Sequence, residues 1–431
     1  MVESVRVLLA DKYDLVVGDT FQLYYNNIIE APNPYIYAIV AICEKGKNFP
    51  RYFEYTPICE GQHKLTIQLY NSNHQLIGED ETLLNVVAPC EGAKPVNILC
   101  IGDSLTSNGK WVAEVNRRIS DQGGTPEGLG LQNIRFVGTC QKEGVRFEAF
   151  GGWTWDRFTS ETEGSMWIES PNNRTQEDQH SLWQDENGAI WQLETLQIDY
   201  LKFNRYKDHT SPRPVSGYLT HYKNAENTEP IPILSSSTEK SSPFFDPENH
   251  RIDFKAYAKR NQLESIDAAY IFLGTNGLMR QEAMTKSRRE YCKVVVAEAK
   301  VLVDRLKDDF PNVKIKIMSP QLGSPNGANG FCYGAELPFT NAFDIKHYKF
   351  ELRLAYQAWA NEPYYRDFVE FVDVTAQFDA EYNYPYIEKP VNTRSNITER
   401  IDTNSCHPTD AGYMQIADAV YRNVVNEFCS K

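Results

Sequence analysis

The sequence predicts an α/β protein: a doubly wound parallel sheet covered by helices on both faces, preceded by a small all-β sandwich. Three observations carry this. The first ninety or so residues alternate apolar and polar side chains in short runs and show almost no helical period. From Val96 onward, continuous apolar runs alternate with amphipathic stretches of helical period, the pattern of βα repetition. Several of those runs stop abruptly at glycine or polar residues, as the carboxyl ends of buried parallel strands do in open α/β sheets.

Taken in order, "HKLTIQLYNSNHQLIG" (63–78) sets Leu65, Ile67 and Leu69 against Lys64, Thr66 and Gln68, and "NSNH" supplies the turn of a hairpin with one wet face. "LVVGDTFQLYY", "YIYAIVAICE" and "RYFEYTP" add short strands between Asn, Pro and Gly clusters, which fits an immunoglobulin-sized sandwich over residues 1–90. Residues 91–95, within "APCEGAKP", read as a linker, so the β-domain is expected to be separable from a domain spanning 96–431. In that second domain "VNILCIG" (96–102) is the first strand and "GKWVAEVNRRISD" the first helix. "AAYIFLGTNG", the long helical "KSRREYCKVVVAEAKVLVDRLKDDF", "VKIKIMSPQ", "YKFELRLAYQAWANE", "FVEFVDV" and the final helix "AGYMQIADAVYRNVVNEF" continue the pattern. Residues 158–265, rich in Ser, Pro, Asn and Trp, fit it poorly. They are expected to form a long lid or substrate-shaping insertion. No internal repeat is present.

Bulk properties narrow the function. At 431 residues the chain is long enough for two domains, and 41% hydrophobic residues can fill their cores. A net charge of -14 without a basic, aromatic-laced stripe excludes nucleic acid as the expected partner. The amino terminus lacks the pattern of a signal peptide, and no segment is long and apolar enough to cross a bilayer. A cytoplasmic location is therefore the default expectation, with a cell-surface, secreted or phage-particle location as alternatives. Nine cysteines occur without CxxC or other metal-ligand spacing, which favours buried thiols and no metal site. The sequons at Asn173 and Asn396 matter only in a host that secretes and glycosylates the chain.

The chemistry is sought at "GDSL" (102–105), where the first parallel strand ends. Gly102 permits a sharp exit, and Asp103 or Ser104 can cap the following helix. That reading needs no catalysis. A nucleophilic serine needs a base, donors for an oxyanion and something to orient the base. His407, in "NSCHPTDAGYMQIADAVY", is presented just before the last helix by Pro408 and the capping residues Thr409 or Asp410.

"GDSL" after an apolar strand, "GGWT" at 151–154, "GTNG" at 274–277 and "HP" before a terminal helix stand in the order found in the SGNH, or GDSL-type, hydrolases, which residues 96–431 resemble. The resemblance implies a flavodoxin-like three-layer fold, Ser104 as nucleophile, His407 as general base, and the Ser104 N–H, Gly152 and Asn276 as the oxyanion hole. Gly152 lets a backbone N–H approach the substrate, and the Asn276 amide can donate from a neighbouring strand end. Two positions depart from the family pattern. Asn404 stands three residues before the histidine where an aspartate is usual, and Gly277 follows the asparagine where aspartate is common. Asn404 is thus the expected third member. Asp402 is a substitute that spacing disfavours.

The implied activity is ester hydrolysis through an acyl-enzyme, with no cofactor and no metal. Trp153, Trp155, Trp167, Trp183 and Trp191 cluster around the second block and the insertion, and their flat faces suit sugar rings as well as a core. Of these, Trp153 and Trp155 are the candidate substrate-binding residues. A β-sandwich joined to an SGNH-like domain with "GGWTWDRF" resembles carbohydrate esterases that remove acetyl groups, so an acylated carbohydrate or other small ester is the expected partner. The alternatives are a lysophospholipase or thioesterase of the same fold, a catalytically weakened glycan-binding or phage-surface protein, and an unrelated α/β binding protein. The last predicts that Ser104, Gly152, Asn276 and His407 do not converge.

Overall fold

The computed structural model describes residues 5–92, 94–159, 242–246, 251–278, 286–324, 342–404 and 406–430, together with the strand course of short segments between 165 and 232. The chain forms two compact units: Met1–Ala149 with Ile266–Ala297 and Asn312–Lys431, and Phe150–Ser265 with Glu298–Pro311.

The core of the first unit is a seven-stranded sheet. Its strands are β1 (Val96–Gly102), β2 (Ile134–Val137), β3 (Cys140–Lys142), β4 (Val145–Ala149), β5 (Ala268–Phe272), β6 (Lys314–Met318) and β7 (Val369–Val372). Their order is β3-β4-β1-β5-β6-β7, with β2 also paired to β1. β2 lies parallel along the first half of β1 and β4 along its end, so the two share one edge. On the other side β5, β6 and β7 follow, all parallel. The chain therefore leaves β1 first to one side and later to the other. β1 is a topological switch point, where open α/β sheets bind ligands beyond the strand ends.

Ile98 to Ile101 are all 0% exposed, which explains why β1 reads as an unbroken apolar run: both faces are covered. Ile98 and Cys100 share a core with Trp111, Val112 and Val115 of helix α1 (Lys110–Ser120) and with Ile416, Val420 and Val424 of the final helix, α4 (Asp410–Phe428). Between these lie α2 (Arg288–Asp309) and α3 (Ala342–Ala360). Among the described residues no helix is long and apolar enough to cross a membrane.

The N-terminal strands form two small sheets. Lys12–Val16, Leu76–Val87, Gly61–Tyr70 and Ala38–Ile42 make one, in that order, and Phe21–Tyr24, Tyr52–Tyr55 and Lys47–Asn48 the other. The expected hairpin is present: Leu65, Ile67 and Leu69 are each 0% exposed and the strand pairs antiparallel with Leu76–Val87. Independence of this region is not what the structure displays. Its core includes Ala376, with Phe371 packed against it. Tyr13 and Asn27 reach the buried Asp373, Thr375 and Phe378 beyond β7. The expected linker is also tied down: Cys90 N–H donates to the Cys429 carbonyl at 2.7 Å. Residues 1–92 are thus built into the first unit rather than hung from it.

The second unit contains residues 158–265, the segment expected to form a lid or substrate-shaping insertion. Six strands between Ser165 and Pro232 pair as an antiparallel sheet, with Tyr200–Arg205 against Ser165–Glu169 on one side and Ile190–Leu196 on the other. The side chains of Trp167, Trp183 and Trp191 lie outside the described residues.

Candidate active site

Parallel register brings two chain segments to one level at the end of the sheet. Phe272 of β5 pairs with Gly102 of β1, so "GDS" and "GTN" both leave the sheet side by side. Gly102 is required there: a Cβ would lie 2.1 Å from Thr106 Oγ1. Asp103 is the N-cap of the helical turn Ser104–Ser107, its carboxylate accepting from Leu105 N–H at 3.0 Å. The second oxygen accepts from Asn276 Nδ2 at 3.0 Å. Asp103 therefore fixes the asparagine amide next to Ser104. The carboxyl is fully buried, which pushes its pKa up to about 7 against the pull of Leu105 N–H and the Lys349 ammonium.

The third segment is the loop before α4. His407 Nε2 lies 2.8 Å from Ser104 Oγ, within hydrogen-bond distance for transfer of the serine proton. Both are half-buried. Asp103, Ser104, Leu105, Thr275, Asn276, Cys406 and His407 line a small cleft. The loop is anchored on two sides. Thr403 N–H donates to the Pro385 carbonyl and Thr409 N–H to the Asn383 carbonyl, at 2.8 and 2.9 Å. From the end of β6, Gln321 Nε2 donates to the Cys406 carbonyl at 2.8 Å.

The structure thus brings together three of the residues singled out in the sequence: Ser104, Asn276 and His407. Gly152 belongs to the second unit and is an exposed turn residue with φ +74°, a conformation that favours glycine. Trp153 and Trp155 do not present faces to a ligand. They are 2% and 1% exposed, and the Trp153 ring centroid lies 4.3 Å from Phe150 and 4.9 Å from Phe158. Large aromatic surfaces are strongly driven from water, and "GGWTWDRF" spends both indoles on a core.

Asn404 also has a different task from the one expected. Its Oδ1 accepts from the backbone N–H groups of Cys406 and His407, both at 2.9 Å, so it closes the turn that presents the histidine. Asp402 has both oxygens engaged as well, one by Arg400 Nε at 2.8 Å and the other by Ser324 Oγ. An aspartate at 404 can accept the same two N–H groups while adding charge near the imidazole. Asn404→Asp is therefore expected to fold normally, keep kcat within about tenfold, and move the acid limb of the pH–kcat/KM profile upward by up to about one unit. A plateau kcat a hundredfold above wild type would show instead that a carboxylate at 404 directly supports the ring.

Sequence reasoning passed over Gln321, the last residue of the expected strand "VKIKIMSPQ". Its signal was its place at a strand end, the same signal that singled out Ser104 and Asn276.

No protein-family model matches the chain, and no curated protein does. Solved structures give distant likenesses. A carbohydrate acetylesterase from Sinorhizobium meliloti is 13% identical over 77% of this chain and 100% of its own, with a TM-score of 0.35. The aryl esterase of M. smegmatis is 13% identical over 76% and 98%, at 0.32. A carbohydrate esterase family 2 enzyme with a carbohydrate-binding domain, from Corynascus thermopiles, is 12% identical over 98% and 99%, at 0.32. The reading of the site rests on its own geometry. β1 stands at the switch point of a parallel α/β sheet, and the serine at its end faces a histidine ahead of the last helix.

Proposed function

We propose that the protein is a serine esterase that removes small acyl groups, acetyl above all, from a carbohydrate. The observation that carries the reading is the 2.8 Å pair of Ser104 Oγ and His407 Nε2 at the switch point of the sheet, with the Asn276 amide fixed beside it. In this reading Ser104 Oγ attacks the ester carbonyl while His407 takes its proton, and the carbonyl oxygen becomes an oxyanion. The Ser104 N–H, in the first turn of a helix, and the Asn276 Nδ2 are its donors in this unit. Collapse expels the alcohol, which takes the proton from His407. Water then attacks the acyl-serine, giving a proton to His407; the Ser104 Oγ–acyl bond breaks, Ser104 Oγ takes that proton back from His407, and the acid is released.

The test is turnover of p-nitrophenyl acetate and octanoate, followed by acetate release from an acetylated oligosaccharide. The acetyl ester is expected to exceed the octanoyl ester in kcat/KM by about tenfold or more. Preference for octanoate would support a lysophospholipase or thioesterase. Absence of turnover on every ester would support a binding protein.

A further inference from the structure

Resting on the esterase reading, we propose that Gln321 is a positioning residue for the general base: its amide holds the backbone of the catalytic loop so that His407 meets Ser104. Gln321 is 0% exposed, and its Nε2 donates at 2.8 Å to the carbonyl of Cys406, the residue before the histidine. Asn404 takes the N–H groups of Cys406 and His407 from the other side. Three hydrogen bonds from two amide side chains thus fix the backbone on either side of one peptide bond, and with it the start of the imidazole side chain. A tilt there moves Nε2 away from Ser104 Oγ, and displacements of an ångström or so cost rate steeply.

A second observation points the same way. Among the described residues Gln321 Oε1 is buried with no hydrogen-bond partner. Burying an acceptor unmatched destabilises a fold, and an apolar side chain would avoid that cost. The amide is accounted for by the bond its nitrogen makes. The segment that carries it is itself rigid: Thr375 Oγ1 donates to the Pro320 carbonyl at 2.7 Å and Thr375 N–H to Ser319 Oγ at 2.9 Å. Gln321 is 0% exposed and is not among the described residues that line the cleft, so its contact is with the base's loop.

The test compares wild type with Gln321→Met and Gln321→Glu on p-nitrophenyl acetate. Methionine keeps the length and removes the donor. Its kcat is expected to fall on the order of ten- to a hundredfold with KM within about twofold. Glutamate donates to the Cys406 carbonyl only when protonated, and burial raises its pKa. As pH rises through that pKa the donor is lost and carboxylate faces carbonyl, so Gln321→Glu should show a falling alkaline limb where wild type holds its plateau. If glutamate prevents folding, the kcat and KM of the methionine variant decide alone. Variants with lowered thermal midpoints but wild-type kcat and pH profile would overturn the proposal. An undiminished Ser104→Ala protein would overturn the esterase reading instead, which keeps the two failures distinct.

Discussion

Ser104→Ala is expected to lower kcat on an acetyl ester by a factor on the order of 10⁵ or more while leaving thermal unfolding close to wild type. The two halves of this result have separate causes. Alanine cannot form an acyl-enzyme, and water attacking directly would have to be activated by a histidine positioned for another atom. Stability is spared because Ser104 is only half-buried and its side chain bonds His407 alone among the described residues. The bonds from Ser107 Oγ and Asn108 Nδ2 go to its carbonyl, which alanine keeps. Alanine also suits a helical first turn. A change within about 0.5 kcal/mol is expected in denaturant melts. The measurement is single-turnover and steady-state release of p-nitrophenol by both proteins. Equal rates would remove Ser104 from the chemistry, and with it the reading of the whole site.

Much of this site was legible because each residue that builds it sits at a boundary that sequence marks. Apolar runs at 96–102 and 268–273 end on "GDS" and "GTN", and parallel pairing in register carries both ends to the same level. His407 was marked by the proline and cap of the last helix. What was not legible depends on partners far away in sequence. Nothing in "TNSCHP" tells whether the Asn404 oxygen turns to a ring nitrogen or to its own backbone; the tight turn decided it. Indoles in "GGWTWDRF" have the same composition whether they stack on sugar or on Phe150 and Phe158. The strands between 165 and 232 alternate only over short stretches, and their register shifts between Leu193 and Thr195. Such pairing leaves a weak period in the sequence.

The same dependence on distant partners governs the N-terminal strands, and it leads to the other large effect. A chain beginning near Ala93 is expected not to reach the native fold or to hydrolyse acetyl esters, contrary to what a linker at 91–95 would imply. Charged groups of the parallel-sheet region lose partners first. Arg353 and Asp373, both 0% exposed, pair at 2.8 Å, and the truncation removes the Asn27 carbonyl from one and the Tyr13 hydroxyl from the other. Arg118 and Arg422 both lose Asp19. Water reaching these groups would replace part of each lost bond. It would not restore order to the loop beyond β7, where Tyr24 N–H and the Asn27 amide hold the Ala376 and Thr375 carbonyls at 2.8 Å. Nor would it restore the apolar core that Leu65, Ile67 and Leu84 share with Ala376. Losing several such interactions, at about 1–3 kcal/mol each, equals the whole stability of an ordinary domain, about 5–15 kcal/mol. The loop matters to activity because Thr375 braces Ser319 and Pro320, and Gln321 follows them to the Cys406 carbonyl. The measurement is near-UV circular dichroism and thermal melting of the truncated chain beside its p-nitrophenyl acetate turnover. A sharp transition near the full-length midpoint together with full-length kcat would show that residues 1–92 are an appended domain after all, and that the catalytic loop stands without them.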